Sequence, residues 1–264
     1  MIQMYRFNGA FPKAYNSYSN LDFGTVKGVT ASYDMRRTKN ARIRASYTLQ
    51  YADMTGSSTS TAAALIAAGV PNLRSTFPTN ADRRHSFNLT LDYRYSEGKN
   101  YDGPTIKGVQ FLSNTGFALQ VNGGSGTPFT AARNVSSPIS GGNTLLQGTY
   151  NGSRIPASFR FDLRVDKDFT FTMGGKKEGS KGRDAFVNVY LQVLNLLNSK
   201  NIVGVYNATG NPDDDGYLSA PQWANEINAQ IDPQAYIQMY ELYVNNGGFY
   251  SMPRHIRLGM SFNF

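Results

Sequence analysis

The sequence predicts an all-β fold, an antiparallel transmembrane β-barrel segment. Three observations carry this expectation: apolar and polar residues alternate over long stretches, the polar sides of those stretches bear full charges, and long and short connections take turns along the chain. Composition agrees. Hydrophobic residues make up 40% and charged residues 17%, with 26 Gly, 17 Tyr and 16 Phe, a balance suited to aromatic strands joined by Gly-rich turns.

The elements follow in order. Met1–Phe7 reads as the end of a strand. Gly28–Arg37 sets Val29, Ala31, Tyr33 and Met35 on one side. Arg42–Tyr51 sets Ile43, Ala45, Tyr47, Leu49 and Tyr51 against Arg44, Ser46, Thr48 and Gln50, and His85–Tyr95 sets Phe87, Leu89, Leu91, Tyr93 and Tyr95 against Asn88, Thr90, Asp92 and Arg94. Val109–Asn122 is a weaker case built on Phe117, Leu119 and Val121. Ser158–Phe171 opposes Phe159, Phe161, Leu163 and Val165 to Arg160, Asp162, Arg164 and Asp166. Arg183–Asn195 opposes Val187, Val189, Leu191 and Val193 to Asn188, Tyr190 and Gln192. In the last segment Ile256, Leu258, Met260, Phe262 and Phe264 alternate with Arg257, Gly259, Ser261 and Asn263. A period of two is the strand signature, and these segments make about eight strands in all.

The polar faces set the environment. Arg160, Asp162, Arg164 and Asp166 in one strand, with Arg94, Asp92 and Arg257 on others, suit a hydrated, ion-paired lumen opposite a lipid-facing side, over segments of roughly 9–11 residues. The competing reading is a soluble antiparallel sheet with one solvated face. Connections favour the barrel, which has short periplasmic turns and long outer loops. With the last strand running inward, the periplasmic connections are "TKN", "SEGKNYDGPTIKG" and "GGKKEGSKGR", and the outer ones are about 8–23, 54–84, 123–157 and 199–254. Tyr93, Tyr95, Phe169 and Phe171 fall where a periplasmic aromatic girdle belongs.

Other classes fit poorly. There are no cysteines, hence neither disulfides nor thiolate metal sites. Runs such as "AAALIAAGV" fall short of the roughly 18 apolar residues of a spanning helix, and no stretch has signal-peptide form. The net charge of +8 is scattered along strands and turns, a pattern that predicts no nucleic-acid partner.

In order along the chain, "FGTVKGVTASYDMRR", "RASYTLQYADMTGSS", "NGGSGTPFT", "FRFDLRVDKDF", "VYLQVLNLLNSKNIVGVYNATGNPDDDGYL" and "MPRHIRLGMSFNF" resemble the last third of the barrel of TonB-dependent outer-membrane receptors. The resemblance is notably to the Oar-like receptors of Bacteroidota, which carry a carboxypeptidase-regulatory-like N-terminal domain. The resemblance implies a plugged barrel of about 22 strands in the cell outer membrane, engaged in active uptake of a nutrient. It implies that this chain is the C-terminal part of such a receptor, meeting outer-membrane lipid and the remaining strands and plug, with TonB engaged through the N-terminal part. It further implies plug-docking contacts for the lumen residues Arg94, Arg160, Asp162, Arg164, Asp166 and Arg257, and an assembly signal at Phe264. A self-contained small barrel, and a passive pore or scaffold working with a surface lipoprotein or secretion partner, stay open as alternatives.

Three further patterns carry expectations. "NPDDDGYLSAPQ" fits a calcium loop with Asn211, Asp213, Asp215 and Tyr217 as ligand positions, Gly216 at the sharp turn, Leu218 at position eight and Gln222 at twelve; the alternative is an acidic Asx-turn. "DPQAYIQMYELYVNNGG" predicts a helix with Asp232 as N-cap and Pro233 in its first position, packing through Tyr236, Ile237, Tyr240, Tyr243 and Val244. A second short helix is expected at "TAAALIAAG". No enzyme is predicted, because His85 and His255 sit at strand ends with no nucleophile spaced to either.

Overall fold

The computed structural model describes residues 2–8, 13–56, 63, 66, 75–142, 144–173, 183–245 and 247–263. Twelve strands appear among them: β1 (Ile2–Asn8), β2 (Ala14–Asn20), β3 (Gly24–Thr38), β4 (Ala41–Met54), β5 (Phe77–Pro78), β6 (His85–Arg94), β7 (Thr115–Gly124), β8 (Pro128–Phe129), β9 (Ser153–Arg154), β10 (Ser158–Met173), β11 (Arg183–Leu194) and β12 (His255–Asn263). An eight-stranded sheet runs β12-β11-β10-β7-β6-β4-β3, with β5 beside β4. Every pairing in it is antiparallel. No helix among the described residues is long and apolar enough to cross a membrane.

Cross-strand register keeps the two faces separate over the whole sheet. Met35, Ile43, Leu91, Leu119, Leu163, Val193 and Ile256 stand on one rung, from β3 to β12. Tyr93, Phe117, Val165, Leu191 and Leu258 form the corresponding apolar rung two residues on. A slip of one residue in any strand would throw its whole apolar set onto the other face. The apolar side is the uncovered one: Val29 is 71% exposed, Leu258 77% and Met260 71%, whereas Asp162 and Asp166 on the polar side are each 7% exposed. Leu163 and Val189 are half-buried. Total accessible surface is 17828 Å², against about 11,000 Å² for a compact monomer of this mass.

Two differences from expectation concern strands. Residues 8–23 do not form an open loop: Ala14–Asn20 is a strand that pairs with β1 from Ile2↔Asn20 to Asn8↔Ala14, in a two-stranded sheet of its own. The first expected strand therefore lies outside the large sheet. The pair is held by a cross-strand aromatic contact, Phe7 stacking on Tyr15 at 5.2 Å, which favours pairing even where alternation is weak; Tyr5 of the same strand meets Phe7 edge-on at 5.0 Å. The Val109–Asn122 strand begins only at Thr115, because Ile106 and Val109 bridge each other in a turn and Asn114 adopts a left-handed φ of 55°.

The short connections turn tightly. Lys39 (φ 53°) and Asn40 link β3 to β4, and buried Asn40 accepts at its carbonyl from Arg94 N (2.9 Å) while its amide donates to Asp102 Oδ1 (2.5 Å). Most of the "GGKKEGSKGR" turn, most of the "TAAALIAAG" segment and Phe264 lie outside the described residues.

At the opposite end of the sheet the long connections build a lobe with its own core. Helices α1 (Ala224–Asn228) and α2 (Pro233–Val244) bury Tyr217, Ile227, Tyr240 and Val244 together. Asp232 caps α2 as expected, its Oδ1 accepting from Ala235 N at 3.0 Å, and Pro233 opens the helix. Tyr243 departs from the expected packing stripe: it is 75% exposed, because Tyr236, Tyr240 and Val244 at i, i+4 and i+8 already face the core.

Candidate functional site

The polar face gathers most of the charged residues singled out in the sequence, and one rung organises them. Arg94, Gly116, Asp166, Tyr190 and Gly259 lie side by side across five strands. The missing side chain at Gly116 opens the passage through which the Arg94 guanidinium crosses β7. Its Nη2 donates to Asp166 Oδ2 at 2.5 Å and its Nη1 to Asp168 Oδ2 at 2.7 Å, and a Cβ on Gly116 would come within 2.6 Å of Arg94 Nη2. Asn188 on β11 completes the group by donating to Asp168 Oδ1 at 2.6 Å and to Asp166 Oδ2 at 3.3 Å. Further along the rung, Tyr190 lies over Gly259, whose Cβ would meet Tyr190 Cζ at 2.3 Å. The Arg164 guanidinium sits 4.3 Å from that ring's centroid, within the range of a cation–π contact.

Asp162 anchors the other end. Its Oδ2 accepts from Arg160 Nε at 2.9 Å and its Oδ1 from Asn195 N at 2.8 Å. Buried Asn195 (φ 53°) then reaches the carbonyls of Ser199 and Met252 at 3.1 and 3.0 Å, joining the sheet to the lobe. Arg164 lies 3.9 Å from Asp166. Asp92 instead pairs with Arg37 of the edge strand β3, reaching across β4. Arg257, level with Gln192, joins none of the ion pairs among the described residues. The sequence assigned no site role to Gly116 or Asp168, and placed Asn188, Tyr190 and Gly259 only by strand alternation; a glycine inside a strand, which marks a close approach, is the signal that points to two of them.

The lobe holds residues 211–222, the segment that the sequence matched to a calcium loop. Gly216 makes the sharp turn (φ 84°), and Asx hydrogen bonds run from Asp213 N to Asn211 Oδ1 (3.0 Å), Gly216 N to Asp214 Oδ1 (2.7 Å) and Tyr217 N to Asp215 Oδ1 (3.0 Å). Two further carboxylate oxygens are engaged by tyrosines: Tyr250 donates to Asp213 Oδ2 and Tyr240 to Asp215 Oδ2, both at 2.5 Å. The Tyr217 carbonyl accepts from Ala220 N at 3.3 Å. Among the described residues no group of three or more His, Cys, Asp or Glu side chains forms a metal set.

Glu226 fastens this lobe to the connection between β8 and β9, accepting from the hydroxyls of Ser137, Ser140 and Tyr217, the last at 2.6 Å. Those donors hold its pKa below the ordinary carboxylate value, the Ser137 hydroxyl contributing most. Desolvation, then the bond to Glu226, pushes the Tyr217 hydroxyl far up, and desolvation with the bond to Asp215 does the same to Tyr240. Both phenols stay neutral donors. Trp223 Nε1 donates to Val135 O at 3.1 Å across the same junction. His85 shares a 2.8 Å hydrogen bond with Tyr47, and His255 pairs with Leu194 at the start of β12.

No protein-family model, curated protein or solved structure matches this chain.

Proposed function

We propose that this chain is the C-terminal wall of an outer-membrane β-barrel, part of a TonB-dependent, Oar-like receptor that actively imports a nutrient. The observation that carries the reading is the inverted sheet: an apolar face runs unbroken from β3 to β12, with Val29, Leu258 and Met260 exposed on it, while Asp162 and Asp166 are buried on the polar side. Monomeric soluble proteins rarely expose contiguous apolar patches beyond a few hundred Å², and hydrocarbon is the solvent that suits such a face. On β10, Phe159 and Phe169 are ten residues apart, about 34 Å at ~3.4 Å per residue. At a tilt of ~40° this is about 25 Å of membrane normal, the height of a barrel's apolar band.

The edges agree with a larger barrel. Among the described residues β3 and β12 each lack a partner on one side, and an open edge in hydrocarbon costs several kcal/mol per unpaired group. Further strands of the receptor supply the pairing. The ionic rung at Arg94, Asp166 and Asp168 then faces the lumen, where it grips the plug.

Accumulation of labelled peptides, glycans and metal chelates in cells carrying the full-length protein tests the reading. Import abolished by a protonophore supports a TonB-driven receptor; import unchanged by it favours a passive pore. Calcium binding at Asn211, Asp213, Asp215 and Tyr217 would compete at Asp215 with the Tyr217 N–H and the Tyr240 hydroxyl, which engage both of its oxygens. A terbium luminescence titration, with Asp215→Asn as control, decides that point.

A further inference from the structure

Helix α2 is apolar almost all the way round. Only Gln234, Gln238 and Glu241 are polar, and they form one narrow stripe at i, i+4 and i+7. Beside it lie two apolar stripes. One packs into the lobe core through Tyr240 and Val244. The other, Met239, Leu242 and Tyr243, points away from it and is 64%, 78% and 75% exposed. A helix hydrophobic on all sides is ordinarily buried on all sides, and an exposed apolar patch rimmed by polar residues marks an interaction site.

Charge specifies the occupant. Residues 201–253 carry six carboxylates and no Lys or Arg, in a chain whose net charge is +8. Asp213, Asp214, Asp215 and Glu241 line a cleft of about 330 Å³ together with Tyr240 and Val244 of α2, and Glu241, in the polar stripe, stands between that cleft and the exposed stripe. A second copy of the lobe would set carboxylate against carboxylate, and anionic lipid head groups would be repelled in the same way.

We infer that the exposed face of α2 docks a protein segment whose apolar side chains are flanked by lysines or arginines. The apolar stripe supplies contact area, and the neighbouring carboxylates select the sign of the partner and speed its approach. This docking goes beyond the transport reading and does not depend on what the barrel imports.

The test uses the full-length protein in detergent micelles and three fluorescein-labelled helical peptides of equal length, patterned Leu/Lys, Leu/Glu and Ser/Lys, read by anisotropy. The Leu/Lys peptide is expected to bind and the other two to bind at least tenfold more weakly. Met239→Ser with Leu242→Ser should weaken Leu/Lys binding tenfold or more, as should Asp213→Asn with Glu241→Gln, and raising salt should weaken it further. Unchanged Trp223 emission verifies that each variant keeps the lobe folded. Binding that is indifferent to the Met239 and Leu242 changes, or equal affinity for the Ser/Lys peptide, overturns the inference. So does self-association abolished by Leu242→Ser, which would make a second copy the occupant. Protection of Leu242→Cys from an impermeant maleimide in the protein alone would show that its own chain covers the face, and would also overturn it.

Discussion

Replacing Leu163 with arginine should be far more damaging than the same change at Phe159. Leu163 lies four residues after Phe159 on β10, which in the proposed barrel is about 10 Å along the membrane normal at ~3.4 Å per residue and ~40° tilt. That places it within a few Å of the centre of the apolar band, whereas Phe159 marks its outer rim. An arginine at the midplane of a barrel's lipid face costs about 2–4 kcal/mol, falling to about 0–1 kcal/mol at the interface. Leu163 is already half-buried between Leu119 and Val193, so truncating its packing adds about 1 kcal/mol to the loss. The expected difference between the two variants is therefore about 3 kcal/mol, roughly a hundredfold in the folding equilibrium. Urea titrations of the full-length protein folding into phospholipid vesicles, read by tryptophan emission, measure it. Equal costs at the two positions would refute the depth assignment, and a larger cost at Phe159 would invert it.

Other perturbations probe the polar face and the lobe. Arg94→Met strands Asp166 and Asp168 together and should cost about 2–3 kcal/mol, below the range for a fully buried pair because Arg94 is 35% exposed; adding Asp166→Asn should recover part of it in a double-mutant cycle. Gly259→Val should displace Tyr190 and with it the Arg164 contact, at a cost of about 1–3 kcal/mol. Tyr240→Phe removes the donor to Asp215 and should loosen the lobe by about 1–2 kcal/mol, seen as earlier thermal quenching of Trp223. Because Glu226 titrates below its ordinary 4.5 in the folded lobe, its contribution is present above that value and is lost as pH falls beneath it. Tyr217 and Tyr240 titrate above their ordinary 10.0, so their contribution is complete below 10.0 and is lost as pH rises past it. Trp223 emission should be flat between these limits and change outside them, and Glu226→Gln should remove the acid limb.

Period-two alternation revealed every long strand of the large sheet and assigned both faces, because a strand's side-chain repeat is local and exact register follows from it. It missed β2, where Tyr15 and Tyr18 stand three residues apart and the pairing rests on Phe7 across the hairpin. It placed the start of β7 too early because Val109 and Phe111 continue the alternation through a turn. The capping residues of α2 were legible for the same local reason. What joins Glu226 to Ser137, or Asp215 to Tyr240, was not: those contacts link distant segments of chain, and no spacing announces them. The Arg94 rung was half legible, its charges visible in the strands but its opening at Gly116 apparent only once β7 is seen to lie between cation and carboxylate.

The central claim is that β12 shows one side to hydrocarbon and the other to water. Because the chain has no cysteine, nitroxide labels can be placed singly from residue 256 to 262 in the full-length protein in bilayers. Collision rates with oxygen should peak at 256, 258, 260 and 262, and those with a water-soluble nickel chelate at 257, 259 and 261. Nickel access at the even positions, with oxygen showing no alternation, would place Leu258 and Met260 in water and contradict the account.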